Sequence, residues 1–188
     1  MAILAPLWLP ILISAVVVFI ASAVGWMLVG HHNADIKKLP NEAAFLDFVR
    51  SQNIPPGTYM WPGCGGSEEM KSPEFLARFA AGPWGSINVA GRQPSFARNL
   101  VLTFLFYLVV GVFVGYITTL ARPYGAPFLA VFRVAGAVAV LAYCAGSIPN
   151  ALFFSKPGRF MLTDFIDGVA FGLLTGLVFA WLWPAASV

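Results

Sequence analysis

Long apolar segments alternate with short polar ones along the chain. They cover residues 6–29, 99–121, 127–148 and 165–183, and the one long polar interruption lies between the first two. Bilayer hydrocarbon is about 30 Å thick and a helix rises about 1.5 Å per residue, so a span needs about 20 apolar residues. The pattern predicts an all-α membrane protein, a four-transmembrane-helix bundle with a small membrane-associated extramembrane cap.

This reading divides the chain into a first transmembrane helix (residues 1–29), an extramembrane loop or cap (30–98) and transmembrane helices two to four (99–188). Ala21-Ser22-Ala23 resembles a signal-peptide cleavage site. Residues 1–7, however, carry no Lys or Arg, so the basic region of a signal peptide is missing. We therefore expect the first helix to be retained.

The loop carries signals of ordered structure. Residues 41–50 have an apolar helical face, and a second helix is expected from an N-cap at Ser72 to a stop at Gly82-Pro83. Residues 84–89 favour a strand, whereas the prolines and glycines of 54–66 indicate irregular structure. We expect a cap that lies against the membrane surface.

Composition and charge narrow the class of protein. The chain is 59% hydrophobic and 10% charged, with a mean hydropathy of +0.80, which is too apolar for a water-soluble domain. Its net charge of +3 is not concentrated in a basic stripe, so nucleic acid is not an expected partner. Anionic membrane lipid is the partner that this charge favours. Cys64 and Cys144 have no evident disulfide partner, which is compatible with a reducing compartment.

The positions of basic residues predict the orientation, because Lys and Arg near span ends tend to stay cytoplasmic. We expect both termini outside and the 30–98 loop in the cytoplasm. The residues behind this expectation are Lys37, Lys38, Arg92, Arg98, Lys156 and Arg159 on one side, against Arg122 on the other.

Small residues recur four apart in two spans, at Gly168, Gly172 and Gly176 and at Gly111 and Gly115. In lipid, such ridges let neighbouring helix backbones approach closely. They predict tight packing within the bundle, and they also leave open an interface with other membrane subunits or with a second copy.

Charged residues within spans are costly and therefore point to function. Arg133, about six residues into the third span, is expected to reach lipid phosphate or the region of Tyr124, and an anionic ligand or a partner subunit is the alternative. Thr163 is expected to cap the fourth span, with Asp164 in its first turn and Asp167 one turn deeper. The ends of the spans should bring a set of polar side chains to one membrane boundary: His31, His32, Arg98, Asn99, Asn150, Asp164 and Asp167.

Asp167 is open to several interpretations. Its carboxylate could pair with Arg98, handle a proton or an ion, or bind a metal with His31, His32 and Asp164. Adjacent histidines in a helix diverge by about 100°, so both could face one metal only if the helix ended there. Whether a metal or another cofactor is bound is left open.

The segments GHH, LPNEAAFLDFVR, PPGTYMWPG and SPEFLARFAAGPWG, followed by three spans, resemble small uncharacterised bacterial inner-membrane proteins. The resemblance implies a bacterial inner membrane and no activity. CxxC, HExxH, GxSxG and P-loop motifs are lacking, so an enzyme is less expected than a non-enzyme. We expect an accessory or assembly subunit that packs through its small-residue faces. The alternatives are a carrier or proton/ion conductor that uses Asp167, and a membrane metal-binding protein or enzyme.

Overall fold

The computed structural model describes residues 2–186 and contains four helices long and apolar enough to cross a membrane. They are Leu4–Val29, Phe96–Ala121, Phe128–Phe153 and Gly158–Trp181. The prediction of four long apolar helices is therefore confirmed, and they fit a multi-pass membrane protein. The chain forms two compact units, which we call the membrane unit (up to Ile36 and from Phe96 onward) and the loop unit (Lys37–Ser95).

In the membrane unit, the first span comprises a 3₁₀ turn (Ala2–Leu7), helix α1 (Trp8–Val24) and a π turn (Gly25–Val29). A short 3₁₀ turn, His31–Ala34, follows. The remaining helices of this unit are α5 (Phe96–Ala121), α6 (Phe128–Cys144), α7 (Ser147–Phe153) and α8 (Gly158–Trp181).

Two boundaries differ from the sequence expectation. Helix α8 begins at Gly158, after Pro157, so Thr163 is not its N-cap but a buried residue inside it, and Asp164 lies beyond the first turn. Proline's fixed φ suits a helix start, and the mixed polar and apolar residues 158–164 continue the helix before the uninterrupted apolar run begins. The third span likewise continues as α7 to Phe153.

Helices α5, α6 and α8 pack around a core of small and β-branched residues with one large side chain, Phe179, and Ile11 of α1 packs against it. The most extensive contact is that of α6 with α8. The buried cluster contains Val110, Val114, Val131, Ala135, Ala139, Phe179 and Ala180. The small side chains among these allow the helices to approach closely. In lipid, where the hydrophobic effect does not drive helices together, such close van der Waals packing favours their association.

The glycine ridges are used inside the chain. A Cβ added at Gly176 would lie 2.8 Å from the Cα of Gly136, and one added at Gly172 would lie 2.7 Å from the Cα of Val140. At Gly111 the nearest atoms belong to Ile11, and at Gly115 to Leu7 and Phe179. The third glycine of the α8 ridge, Gly168, has the Cys144 sulfur and the Tyr143 backbone as its nearest neighbours.

The loop unit contains α2 (Glu42–Ser51), β1 (Gly57–Trp61), α3 (Ser67–Met70), α4 (Pro73–Ala81) and β2 (Gly85–Val89). Strands β1 and β2 pair antiparallel, with Gly57 opposite Val89 and Trp61 opposite Gly85. The two predicted helices and the predicted strand are confirmed.

The N-cap at Ser72 and the conformation of residues 54–66 can both be compared with what the sequence predicts. The Ser72 hydroxyl accepts a hydrogen bond from the Phe75 N–H, as expected of an N-cap. The expectation of irregular structure over residues 54–66 is wrong, because the prolines and glycines there flank a five-residue strand rather than interrupt it.

Candidate functional site

The end of the first span brings two adjacent histidines to one site. Gly30 has a left-handed conformation, with φ +66°, that glycine adopts without a steric penalty. The π turn before it and the 3₁₀ turn after it replace regular α-helical geometry. His31 and His32 therefore share a direction, with ring centroids 4.2 Å apart. The helix ends where the histidines begin, which is the condition for both to face one metal.

Both histidines contact the carboxylate of Asp167 in α8. His31 Nε2 lies 2.9 Å from Asp167 Oδ1, and His32 Nε2 lies 3.0 Å from Asp167 Oδ2. These two imidazoles are the hydrogen-bond partners of Asp167 that the structure describes, and the expected pairing of Asp167 with Arg98 stays a prediction. We call His31, His32, Asp167 and their direct contacts the cluster. Gly25 leaves space for it, because a Cβ at Gly25 would lie 3.3 Å from His31 Cε1 and 3.6 Å from the Asp167 carboxylate.

A second carboxylate holds His32 from the other side of its ring. His32 Nδ1 lies 3.0 Å from Asp35 Oδ2, and the side chains of both residues are almost fully buried. Thr163 donates a hydrogen bond of 2.7 Å to the same Asp35 oxygen. Arg159 Nε lies 3.0 Å from the other oxygen, at ion-pair distance.

These contacts favour the ionised form of Asp35. The hydrogen bond from Thr163 is the largest cause of a lowered pKa for Asp35, and burial opposes it. The His32 hydrogen bond and the Arg159 guanidinium lower the pKa further. Asp35 was not among the residues singled out from the sequence. Its position three residues after His32 in a tight turn was the signal that could have identified it.

The cluster has two further features. The indole of Trp26 stacks on the His32 ring, with centroids 3.9 Å apart and an interplanar angle of 9°. His31 Nδ1 is buried and has no hydrogen-bond partner among the described residues. A buried polar atom without a partner is uncommon and often accompanies a functional site. The His31 carbonyl, by contrast, accepts a hydrogen bond of 2.6 Å from Arg159 Nη2.

The remaining sequence-selected residues occupy different positions. Asp164 lies one turn before Asp167 and, with it, lines a cavity in the membrane unit. Arg98, Asn99 and Asn150 are exposed, as is Arg133 on α6. Cys64 is exposed in the loop unit, whereas Cys144 is buried.

The arrangement offers three ligand atoms to one cation. One atom each from His31, His32 and Asp167 lie within 4.8 Å of one another. Two imidazoles and one carboxylate form a donor set used by zinc and by non-haem iron.

Comparison with protein-family models, with curated proteins and with solved structures produced no match.

Proposed function

We propose that the protein is an integral membrane protein whose function depends on a divalent transition metal held by His31, His32 and Asp167. The single observation that carries this proposal is the approach of both Nε2 atoms to one carboxylate, at 2.9 and 3.0 Å. Asp167 and the histidine pair come from elements at opposite ends of the chain, so local sequence does not force this approach.

The tautomer of His32 strengthens the proposal. The Asp35 carboxylate accepts a hydrogen bond from Thr163 and forms an ion pair with Arg159. It therefore also acts as an acceptor toward His32 Nδ1, and that nitrogen carries the proton of the ring. In the neutral ring, Nε2 presents a lone pair to Asp167 Oδ2 only 3.0 Å away. Two lone pairs this close repel, so a proton or a metal cation belongs between them.

A metal fits this spacing. Bonds of about 2.0–2.1 Å in a tetrahedral site place ligand atoms about 3.3 Å apart. The two nitrogen–oxygen distances of 2.9 and 3.0 Å are a few tenths of an ångström shorter, and the three ligand atoms all lie within 4.8 Å of one another. The Asp35–His32 contact would then supply the carboxylate that commonly orients a metal-bound imidazole. Three protein ligands leave a fourth position open, as in catalytic rather than structural zinc sites.

Zinc titration tests the proposal. Full-length protein, purified in mild detergent and freed of metal, would be titrated with Zn²⁺ against a chromophoric competing chelator. We expect one zinc per chain. His32→Ala and Asp167→Asn should each lower the zinc affinity by more than about 100-fold. Loss of a residue that only orients a metal ligand costs up to about 100-fold, and loss of the ligand itself should cost more.

Two matched variants control the titration. Asp47→Asn removes a carboxylate that is exposed and paired with Arg50, and it should leave zinc binding unchanged. Cys64→Ser removes the exposed thiol and should also have no effect. Zinc affinity that survives both His32→Ala and Asp167→Asn would refute the proposal. Size-exclusion profiles would show that the variants remain folded.

Proton conduction is a second candidate, favoured by the continuous contact chain from His31 through Asp167 and His32 to Asp35. Such a chain can pass protons through imidazole and carboxylate groups. In proteoliposomes with an entrapped pH dye, it predicts flux that Asp167→Asn abolishes, that Asp47→Asn retains and that a chelator does not alter. Equal flux with Asp167→Asn would exclude it.

An accessory or assembly role through the glycine faces keeps less support, because those glycines contact neighbouring helices of the same chain. A native pull-down from the source membrane tests it, and recovery of a stoichiometric membrane partner or a second copy would restore it.

We also propose that the protein lies in a bacterial inner membrane, with both termini outside and the loop unit cytoplasmic. A membrane-impermeant maleimide should then label Cys64 only after the membrane is opened, and labelling of intact spheroplasts would invert the orientation.

A further inference from the structure

A cavity of about 220 Å³ lies in the membrane unit beside Asp167. Residues of α1, its π turn, α5, α6, α7 and α8 line it. The volume is below the roughly 300–1,000 Å³ of sites for drug-sized molecules, so it suits a small ligand. Much of the wall is aromatic, formed by Trp26, Phe106, Tyr107, Tyr143 and Phe171.

The aromatic rings hold one another in fixed orientations. Tyr107 and Tyr143 meet edge to face with centroids 5.9 Å apart, and Phe171 lies 6.3 Å from Tyr107 and 6.0 Å from Tyr143. Edge-to-face packing is the preferred geometry of aromatic pairs. The cavity is therefore walled by braced rings, and the face of an aromatic ring attracts a cation.

Two carboxylates complete the wall. Asp164 and Asp167 both line the cavity, and none of the described residues that line it is Lys, Arg or His. Asp167 is already in contact with two histidines. Asp164 makes no direct hydrogen bond or ion pair with the described residues, although Lys156 and His32 interact with it electrostatically at longer range. The Lys156 ammonium lies over the Phe160 ring, 4.8 Å from its centroid.

We propose that this cavity binds a small organic cation of the alkylammonium or quaternary ammonium class. Asp164 supplies the counter-charge and the aromatic rings surround the alkyl groups of the cation. A partly buried carboxylate without a direct hydrogen bond or ion pair attracts a cation, whereas a neutral ligand would leave its charge without a direct counter-charge. His31 and His32 do not line the cavity, so this site is separate from the proposed metal ligands except at Asp167.

Choline is the probe, compared with its neutral carbon isostere, in which a tert-butyl group replaces the trimethylammonium group. Equilibrium binding to the full-length protein in detergent should favour choline by at least about tenfold, since the two molecules have the same shape and differ in charge. Equal affinity for both, or binding of neither, would overturn the proposal. This comparison uses the wild-type protein and needs no variant.

Variants then locate the site. Asp164→Asn should lower choline affinity by at least about tenfold through loss of the counter-charge, and Phe171→Leu by several-fold through loss of a ring face. Asp47→Asn, in the loop unit, is the matched control and should change nothing. Choline affinity that is unaltered in both cavity variants would overturn the assignment.

The metal proposal is separated from this one by repeating the measurement on metal-free His31→Ala protein. Retained choline binding there supports a cation site independent of the metal, whatever the zinc titration shows. Choline binding that is lost in His31→Ala but retained in Asp164→Asn would overturn the cation site.

Discussion

Replacement of Gly172 by alanine tests the packing of α6 against α8. A Cβ at this position would lie 2.6 Å from the Val140 backbone nitrogen and 2.7 Å from its Cα, where ordinary contacts begin at 3.4 Å. Because both neighbours are backbone atoms, no side-chain rotation relieves the overlap. The two helices would have to separate locally by about 0.8 Å, a gap that forfeits roughly a quarter to a half of each contact's dispersion energy.

The expected cost follows from two opposing terms. Overpacking a tight interface costs about 1–3 kcal/mol, and a clash with backbone belongs near the upper end. Alanine returns up to about 1 kcal/mol through its higher helix propensity. We expect Gly172→Ala to lower the free energy of unfolding by about 2 kcal/mol, or roughly 30-fold in the unfolding equilibrium constant.

The assay is unfolding in mixed micelles as the mole fraction of dodecyl sulfate rises, followed by tryptophan fluorescence. Gly158→Ala is the control in the same helix, because a Cβ there meets no atom within 4 Å. Its effect should stay within about 0.5 kcal/mol. If Gly172→Ala unfolded at the same midpoint as Gly158→Ala, the close approach of α6 and α8 would be refuted.

Three further predictions concern single side chains. Asp35→Asn keeps the three proposed ligands but should lower zinc affinity about 10–100-fold, measured by chelator competition; an unchanged affinity would mean that Asp35 does not orient His32. Ser72→Ala removes the N-cap of α4 and should cost about 1 kcal/mol of local stability, read as faster hydrogen exchange in that helix alone. Hydrogen bonds from the Gly65 N–H and from Arg78 lower the pKa of Glu69, so their stabilisation is complete above about pH 4.5 and is lost as pH falls through the folded-state pKa. Protection of the α3–α4 amides, corrected for the intrinsic exchange rate at each pH, should therefore fall in acid more steeply for the wild type than for Glu69→Gln, and parallel profiles would contradict this.

Much of the fold is predictable from the sequence because its signals are local. Twenty-residue apolar runs identify the four spans, and the Ser72 cap and the Gly82-Pro83 stop identify α4. The start of α8 was misplaced because Arg159, Thr163 and Asp164 interrupt the apolar pattern of its first two turns. A hydropathy pattern detects where lipid-compatible sequence begins, which is not where the helix begins.

The candidate site was predictable in part. The positions of the span ends brought His31, His32 and Asp167 to one level, and the helix break at Gly30 satisfies the condition for a shared site. The contribution of Asp35 depends on contacts with Thr163 and Arg159 in a distant helix, which no sequence spacing encodes. The glycine ridge could be recognised from its four-residue spacing, but its partner helix could not, because that spacing fits the same chain and another chain equally well.

X-ray absorption at the zinc edge, on wild-type protein loaded with one equivalent of metal, tests the central claim most directly. We expect nitrogen and oxygen ligands at about 2.0–2.1 Å, with outer-shell scattering from two imidazole rings that falls to one ring in His31→Ala. A spectrum without imidazole scattering, or with sulfur at about 2.3 Å, would contradict it and move the metal away from His31, His32 and Asp167.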